Sequence, residues 1–208
     1  MATKDEILTR LLKEENYVSG EELARQTGVS RAAVWKAIKS LKKSGYDIEG
    51  VTKCGYKLKQ NNSLVTAEGV KALLEKDIEV THFDTVDSTN TYCKRLLADG
   101  KQGELLVIAA KQTAGRGRQG KSFYSPSETG IYFSLVIRPD TSLQNAVTAT
   151  TAAAVAVCKA IEKTTDLKPK IKWVNDVYLN GKKVCGILTE ATTDFESGTV
   201  DSVIIGIG

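Results

Sequence analysis

The segment GRGRQGKS at residues 115–122 combines glycines and cations in a spacing that points to anion binding. It matches G-x-x-x-x-G-K-S/T, the phosphate loop of many ATPases, and G-x-G-x-x-G, the fingerprint of dinucleotide-binding loops. Both kinds of loop open a helix, because the helix N-terminus supplies the amides that bind phosphate. Here Pro126, Gly130 and a β-like run at 131–137 follow instead. No helix is therefore expected after Lys121, and neither pattern identifies this loop.

Three basic side chains of the same loop, Arg116, Arg118 and Lys121, still favour an anionic ligand. Guanidinium groups bind carboxylates and phosphates through paired hydrogen bonds, whereas an ammonium group acts as a point charge. The glycines let backbone N–H groups approach the same ligand closely. The alternative is a flexible basic surface loop, which so many cations in a short segment disfavour.

The composition argues against several classes of enzyme and of membrane protein. His82 is the only histidine, which argues against a zinc enzyme and against a Ser-His-Asp hydrolase. The chain has no apolar run of membrane-spanning length and no apolar signal segment at its N-terminus, so we expect a cytoplasmic protein without a membrane partner. Four cysteines without a C-x-x-C pair indicate reduced thiols: Cys54, Cys93, Cys158 and Cys185.

The net positive charge is confined to one part of the chain. Residues 1–60 hold 12 Lys/Arg against 8 Asp/Glu, whereas residues 61–208 hold 17 of each, so the whole excess of +4 lies in the first 60 residues. No acidic residue occurs from Leu23 to Tyr46. A one-sided basic patch of this kind is the electrostatic signature of nucleic-acid binding.

Capping signals within this basic region predict a helix-turn-helix. Ser19 precedes a short helix that ends at Gly28, and Ser30 caps a basic helix, SRAAVWKAIKSLKKSG, whose apolar positions share one stripe. The alternating pattern of residues 46–58 then predicts a small β-hairpin, called the wing, with its turn at Gly50.

The second helix of such a motif enters the major groove of DNA. Residues near its start can reach base edges, and lysines along it can bind phosphates. The alternative is a basic three-helix bundle that presents only a solvated charged face, but caps, turn, charge and wing all agree with DNA binding. The predicted DNA-binding residues are Ser30, Arg31, Ala32, Trp35, Lys36, Lys39 and Lys43.

The predicted fold class is α+β, with a winged helix-turn-helix in residues 1–60, a polar linker at 61–66 and a sheet-rich domain in residues 67–208. Helices are expected in the second domain from about Thr66 to Glu75, at residues 90–98 and from about Ser142 to Lys163. The β-like runs lie at residues 105–110, 131–137, 170–174, 177–179, 184–190 and 200–208.

The whole pattern resembles one family, the biotin protein ligases, and within it the bifunctional ligases that also repress the biotin operon. The resemblance covers nearly the whole chain. It rests on SRAAVWKAI and GYKL in the first domain, and in the second on DSTN at 87–90, KQTAGRGRQGKSFYSP at 111–126, KWVNDVYLNGKKVCGILTE at 172–190 and IGIG at 205–208. It implies the mixed-sheet fold of biotin and lipoate ligases. The family continues past IGIG into a small β-barrel domain, so we expect a catalytic domain that is cut short at its C-terminal end.

Such ligases join biotin to ATP, which forms biotinyl-5′-adenylate and pyrophosphate, and then transfer biotin to a lysine of a carboxylase carrier domain. By this resemblance the catalytic residues are Lys183, which would bridge the biotin carboxylate and the α-phosphate, together with Arg116 and Arg118. These cations would offset the repulsion between two anions and stabilise the transition state. The implied substrates and cofactors are biotin, ATP and Mg²⁺.

The resemblance also implies where each substrate binds. Lys121 and Phe123 stand where the family usually has Arg and Trp, so we expect an altered affinity for the nucleotide. ATP would contact Arg118, Lys121, Asn175, Asp176 and Lys183, with Mg²⁺ on Asp176. Biotin would contact Ser88, Thr89, Asn90, Gln112, Gly115, Arg116, Gly117, Arg118, Lys183, Gly186 and Gly206.

The implied partners are a biotin carboxyl carrier domain of acetyl-CoA carboxylase or a related carboxylase, operator DNA, and a second copy of the chain. In the family, ligand binding favours a homodimer, which then binds a two-fold operator. Two alternatives stay open: a ligand-sensing repressor without ligase activity, and a lipoate-type acyl ligase.

Overall fold

The computed structural model describes residues 3–59, 65–138, 144–193 and 200–208. The chain divides into two compact units, Met1–Asp77 and Ile78–Gly208. Helices and strands are mixed along the chain, which confirms the predicted α+β class.

The first unit begins with three helices that share one core. The helices are α1 (Thr3–Lys13), α2 (Gly20–Thr27) and α3 (Arg31–Lys43). Their apolar stripes meet in a cluster that contains Ile7, Leu8, Leu11, Leu23, Val34, Ile38 and Leu41. Burial of these side chains is the main stabilisation of the bundle.

The ends of α2 and α3 follow the predicted capping signals. Ser19 and Ser30 each accept a hydrogen bond from the backbone N–H group three residues further along the chain. Gly28 ends α2 in the left-handed conformation, with φ at 66°. The helix-turn-helix is thus confirmed, with its short turn between Gly28 and Ser30.

A two-stranded antiparallel hairpin, β1 (Ile48–Val51) and β2 (Gly55–Leu58), forms the predicted wing. The turn was predicted at Gly50, but it lies at residues 52–54. Gly50 pairs with Tyr56, and a β-carbon on Gly50 would lie 3.4 Å from the tyrosine ring. Gly50 is therefore a paired residue inside β1, and the ordinary contact distance leaves space for a β-carbon at this position.

A fourth helix, α4 (Ala67–Leu73), belongs to the first unit and not, as predicted, to the second. It packs against α1. Thr66 caps α4, and its hydroxyl also forms a hydrogen bond with the Tyr46 hydroxyl. A β-carbon on Gly69 would lie 2.9 Å from the same tyrosine oxygen. These contacts place the boundary after α4, and residues 61–64 of the predicted linker lie outside the described residues.

The second unit is built on one mixed sheet. Its strands are β3 (Glu79–Phe83), β4 (Leu105–Ala109), β5 (Tyr132–Ile137), β6 (Lys170–Lys172), β7 (Asp176–Leu179), β8 (Lys182–Thr193) and β9 (Val200–Ile207). The seven strands follow the order β3-β4-β5-β9-β8-β7-β6. β3 and β4 run parallel, and the other neighbours run antiparallel. β9 therefore joins two groups of strands in the middle of the sheet.

Two helices cover opposite faces of this sheet. They are α5 (Thr89–Ala98) and α6 (Gln144–Thr164). On β9, Ile204 shares a buried cluster with Cys93 of α5, whereas the adjacent Val203 shares another with Ala154 of α6. Consecutive side chains of a strand point to opposite faces, which explains the two layers. The predicted helix start at Ser142 lies outside the described residues.

None of the helices in the described part of the chain is both long and apolar enough to span a membrane.

Candidate functional site

A cavity of about 350 Å³ lies in the second unit where the start of α5, the basic loop, β7, β8 and β9 converge. It is lined by every residue predicted to bind biotin or ATP except Gly115. The predicted residues that line it are Ser88, Thr89, Asn90, Gln112, Arg116, Gly117, Arg118, Lys121, Asn175, Asp176, Lys183, Gly186 and Gly206. Segments that are far apart in the sequence therefore meet in one site.

The basic loop folds back on itself as a tight hairpin. The Gly117 N–H donates to the Lys121 carbonyl (2.7 Å), and the Phe123 N–H donates to the Gly115 carbonyl (2.8 Å). A short 3-10 turn, Arg118–Gly120, forms its tip, and Lys121 is extended with ψ at 146°. No helix follows before β5, which confirms that this loop is neither a phosphate loop nor a dinucleotide loop.

Gly115 lies at the base of this hairpin and not in the cavity wall. A β-carbon on Gly115 would lie 2.4 Å from the carbonyl oxygen of Phe123 and 2.7 Å from Ser125 Oγ. Closure of the hairpin therefore requires glycine at this position. We assign Gly115 to loop closure, and its contact with biotin stays a prediction.

One end of the cavity, here called the neutral end, is lined by buried hydrogen-bonding groups without charge. Ser88, Thr89 and Asn90 are only 2–4% exposed and lie at the N-terminus of α5, which Ser88 caps. Gln112 Oε1 accepts hydrogen bonds from the Thr89 N–H (2.9 Å) and the Thr89 hydroxyl (3.2 Å). Gln112 Nε2 donates to Ser125 Oγ (2.9 Å). The protein itself thus holds these side chains in one arrangement.

Asn90 lies over the middle of the sheet, where β5 pairs with β9. Its Nδ2 donates to the Glu190 carboxylate (2.9 Å), and its Oδ1 lies 2.6 Å from the Ser134 hydroxyl. Ser134 and Gly206 are partners in the strand register. A β-carbon on Gly206 would lie 2.2 Å from Asn90 Oδ1. The observed position of the Asn90 side chain therefore requires glycine at residue 206.

Glu190, on β8, is a largely buried carboxylate that the sequence analysis did not assign to the site. It accepts a hydrogen bond from Lys94 Nζ (2.7 Å) and lies 3.7 Å from Arg116 Nη2 of the loop. Burial raises the pKa of Glu190, but the hydrogen bonds from Lys94 and Asn90 and the charge of Arg116 outweigh it, so the pKa is below its ordinary value. Glu190 is therefore ionised at neutral pH and connects α5 with the loop.

The other end of the cavity, the charged end, carries the basic groups expected for binding a polyanion. Lys183 Nζ donates to Asp176 Oδ1 (2.7 Å), and Arg118 Nη1 donates to Asn175 Oδ1 (3.1 Å). Asn175 is held in turn, because its Nδ2 donates to the Ile187 carbonyl (3.1 Å). Among the described lining residues one acid faces four cations: Arg116, Arg118, Lys121 and Lys183.

Phe123 covers a stretch of bare backbone beside Lys183. Gly186 and Gly208 are joined by two backbone hydrogen bonds (2.8 and 3.1 Å). β-Carbons on these glycines would lie 2.9 and 2.6 Å from the Phe123 ring. Lys183 Nζ lies 6.0 Å from the centroid of the same ring. Phe123 therefore forms an apolar wall next to the cations.

The cavity also contains residues that the sequence analysis missed. They are Gln119, Ser122, Ile187, Leu188 and Ile207. Each is next to, or within two residues of, a predicted site residue, and that proximity was the available signal. Ser134 and Glu190 had no such signal, because their contacts are made across the sheet.

A metal ion would find few ligands here. The described residues contain no group of three His, Cys, Asp or Glu side chains that could hold one. Asp176 is the single carboxylate in the described lining, and it is paired with Lys183. This donor set fits Mg²⁺ that arrives with substrate phosphates, because Mg²⁺ is usually bound through one or two carboxylates, phosphate oxygens and water.

On the first unit, the predicted DNA-binding residues share the exposed surface of α3 and its cap. All seven are exposed: Ser30, Arg31, Ala32, Trp35, Lys36, Lys39 and Lys43. Lys39 Nζ lies 5.2 Å from the centroid of the Trp35 ring, which is 54% exposed. A groove of about 660 Å³ separates the start of α3 from the wing. Basic and aromatic side chains beside such a groove suit contact with a duplex.

Both units are similar to known proteins. The Biotin/lipoate A/B protein ligase family matches residues 82–208, and an HTH domain matches residues 3–57. The bifunctional ligase/repressor BirA of Bacillus spizizenii is 40% identical over 195 residues, which are 92% of this chain and 59% of that protein. The biotin–acetyl-CoA-carboxylase ligase of Paracoccus denitrificans is 38% identical over 124 residues, which are 59% of this chain and 50% of that protein.

Among solved structures, the biotin protein ligase of Leishmania major in complex with biotin is 26% identical, with a TM-score of 0.51. The likeness covers 62% of this chain and 55% of that one. The chain spans 59% of the length of the bifunctional relative from Bacillus spizizenii.

Proposed function

We propose, since the chain belongs to the Biotin/lipoate A/B protein ligase family, that its second unit is a biotin protein ligase and its first unit is the DNA-binding part of a biotin-responsive repressor. The ligase forms biotinyl-5′-AMP from biotin and ATP. It then transfers biotin to a lysine in the biotin carboxyl carrier domain of acetyl-CoA carboxylase or a related carboxylase.

The division of one cavity into a neutral end and a charged end carries this proposal. The ureido ring of biotin offers two N–H donors and one carbonyl acceptor, which suit the hydroxyl and amide groups of Thr89, Asn90 and Gln112. The biotin carboxylate and the ATP phosphates are anions, which suit the arginines and Lys183. A ligand that is polar at one end and anionic at the other fits this arrangement.

In the first step an oxygen of the biotin carboxylate attacks the α-phosphorus of ATP. The bond from the α-phosphorus to the bridging oxygen breaks, and pyrophosphate leaves. Both reactants are anions, so Lys183, Arg116 and Arg118 lower the barrier by offsetting their repulsion and stabilising the charge on the phosphate oxygens. Lys183 is paired with Asp176 (2.7 Å) and has further N–H donors for these oxygens.

Asp176 is the residue that would hold Mg²⁺ at the charged end, where the ion would supply further neutralisation of the phosphates. Phe123 and the hairpin loop lie against the same place. Their position shields a mixed anhydride from water, which would otherwise hydrolyse it.

In the second step the amine of the carrier lysine attacks the acyl carbon of biotinyl-5′-AMP. AMP leaves, the new amide forms, and the amine loses its proton. The name of the relative from Paracoccus denitrificans, an acetyl-CoA-carboxylase ligase, supports a carboxylase carrier as acceptor.

The first unit supports the second role. Its exposed basic helix and the match to an HTH domain favour operator DNA as a partner. A two-fold operator would be bound by a homodimer, with ligand binding in the second unit coupled to DNA binding by linkage. ATP, operator DNA and carboxylases share one compartment, so we place the protein in the cytoplasm.

The deciding experiment measures turnover of ATP to AMP and pyrophosphate, dependent on biotin and on a biotin carboxyl carrier domain. The chain, Lys183→Ala and the matched control Lys182→Ala are compared, since Lys182 is exposed and lies outside the cavity lining. We expect Lys183→Ala to lose at least about 100-fold in rate, as for other electrostatic groups at a reacting centre, and Lys182→Ala to keep it.

Three other outcomes would redirect the proposal. Biotin binding without turnover would favour a ligand-sensing repressor. Turnover with lipoate and not with biotin would favour a lipoate-type ligase, which the family also includes. Equal loss in both lysine variants would refute the assigned role of Lys183.

A further inference from the structure

A series of part-buried and buried hydrogen bonds runs from Glu190 to the neutral end of the cavity. We propose that Glu190 is a positioning residue: its carboxylate fixes the direction of the hydrogen bonds through Asn90 and Ser134, so that Thr89 presents an acceptor to an N–H group of the ligand. The proposal rests on the proposed function for the identity of that ligand, biotin.

The direction begins at Glu190, because an ionised carboxylate can only accept hydrogen bonds. Asn90 must therefore turn its Nδ2 toward Glu190 Oε2, at 2.9 Å. The Leu188 carbonyl, 3.3 Å from the same nitrogen, requires the same orientation. Two acceptors on one side thus place Asn90 Oδ1 on the other side, toward Ser134.

Ser134 passes this direction on. Its hydroxyl is fully buried and has one proton for two neighbours, Asn90 Oδ1 at 2.6 Å and Thr89 Oγ1 at 2.7 Å. An amide oxygen has no proton of its own, so the Ser134 proton belongs to Asn90. The Thr89 hydroxyl then donates to Ser134 or to Gln112 Oε1, which lies 3.2 Å away.

The Thr89 hydroxyl proton is therefore used in a hydrogen bond within the protein, and lone pairs on Thr89 Oγ1 stay free to accept from a ligand. Thr89 lines the cavity, so the neutral end offers an acceptor there and favours a ligand with an N–H group. A ureido ring has two such groups. Lys94 balances the charge through the other carboxylate oxygen, Oε1 (2.7 Å), and does not compete with Asn90.

The substitution Glu190→Gln tests the direction itself. A glutamine side chain can donate as well as accept, so Asn90 can turn over with the loss of only its longer bond to the Leu188 carbonyl (3.3 Å). Ser134 then donates to Thr89 Oγ1 and occupies a lone pair that would otherwise be free for the ligand. The probes are biotin and its two cyclic carbamate analogues, in which one ureido N–H is replaced by a ring oxygen. Their dissociation constants are measured by calorimetry on the full chain, with that of ATP as a reference.

We expect the unaltered chain to bind biotin about tenfold more tightly than one carbamate analogue, the value of one hydrogen bond. Glu190→Gln should bring this preference close to parity while the ATP affinity changes little. Ser134→Ala removes the hydroxyl that links Asn90 with Thr89, so it should also reduce the preference for biotin over the carbamate analogue. It keeps the test open if Glu190→Gln fails to fold, which circular dichroism will show.

Two controls separate positioning from a structural role. Lys94→Gln removes the ion pair with Glu190 but keeps the hydrogen bond between Asn90 and the Glu190 carboxylate. Ser202→Ala removes a different fully buried hydroxyl, which lies on β9 and forms a hydrogen bond with Thr192. Both should keep the preference for biotin. If Glu190→Gln and Ser134→Ala keep the preference for biotin over the carbamate analogue, the inference about Glu190 is wrong. It is also wrong if Lys94→Gln loses this preference to the same extent. Either result would leave the proposed function intact. No biotin binding by the unaltered chain would overturn the proposed function as well.

Discussion

A methyl group added at Gly206 is expected to displace Asn90 and to destabilise the second unit. The β-carbon of Gly206→Ala would lie 2.2 Å from Asn90 Oδ1, whereas ordinary contacts begin at 3.4 Å. The amide must therefore retreat by about 1 Å, and the surrounding side chains leave it little room because interiors are close-packed.

The size of the effect follows from the contacts that the retreat would break. Asn90 bonds the Glu190 carboxylate (2.9 Å), the Leu188 carbonyl (3.3 Å) and the Ser134 hydroxyl (2.6 Å). Neutral hydrogen bonds contribute about 1 kcal/mol each and one to a charged group about 2 kcal/mol. Partial retention of these bonds, with overpacking that costs about 1–3 kcal/mol, gives an expected loss of about 3–5 kcal/mol in the free energy of unfolding.

The assay is urea denaturation followed by circular dichroism, for Gly206→Ala, Asn90→Ala and the double variant. Once Asn90 is shortened to alanine, the clash is gone, so Gly206→Ala should then cost less than about 1 kcal/mol. An equal cost of Gly206→Ala with and without the Asn90 side chain would refute the reasoning. Biotin affinity should fall with stability in Gly206→Ala, because the same displacement disturbs the neutral end.

Three further outcomes are expected. The pKa of Glu190 is lower in the folded chain, so its carboxylate stabilises the fold above the unfolded pKa of about 4.3 and loses this effect as pH falls through the folded value. The difference in unfolding free energy between the unaltered chain and Glu190→Gln should therefore shrink in urea titrations from neutral to acidic pH; a constant difference would contradict it. Trp35→Ala should weaken binding to duplexes selected from a random library by about tenfold in fluorescence anisotropy, with ATP turnover unchanged; full affinity would exclude a contact by Trp35. Burial raises the pKa of Cys93 to about 12, whereas Cys54 is exposed. Iodoacetamide at mildly alkaline pH should therefore modify Cys54 first, as followed by mass spectrometry. Early labelling of Cys93 would show that this cysteine is not buried.

Local signals predicted the elements well where one physical cause acts alone. Ser19 and Ser30 were recognisable as helix caps, because a hydroxyl that satisfies a free backbone N–H needs only its neighbours in sequence. The basic loop was distinguished from a phosphate loop by the residues after it, since Pro126 and a β-run exclude a helix. Most residues that line the cavity were predicted from motifs, and the lining residues that were missed lie within two positions of a predicted one.

Predictions were wrong or incomplete where a glycine or a polar stretch could serve more than one structural role. Gly50 was interpreted as a turn, but it pairs with Tyr56 inside the hairpin. Gly115 was interpreted only as a ligand contact, and its role in closing the loop was missed. The polar stretch before Thr66 suggested a boundary, yet the contact of Thr66 with Tyr46 keeps α4 in the first unit. Glu190 and Ser134 were missed, because register and face depend on the whole sheet.

The central place of β9 has a consequence for how the second unit folds. β3, β4 and β5 can pair in chain order, and so can β6, β7, β8 and β9, but the two groups meet only where β5 pairs with β9, Ser134 opposite Gly206. That pairing joins distant segments, so we expect loop-closure entropy to make it a late event. The cavity draws its lining from both sides of this pairing, from α5 and the basic loop before β5 and from the segments of β7, β8 and β9. We therefore expect the ligand-binding site to form when the two groups of strands join, and a bound ligand to slow unfolding.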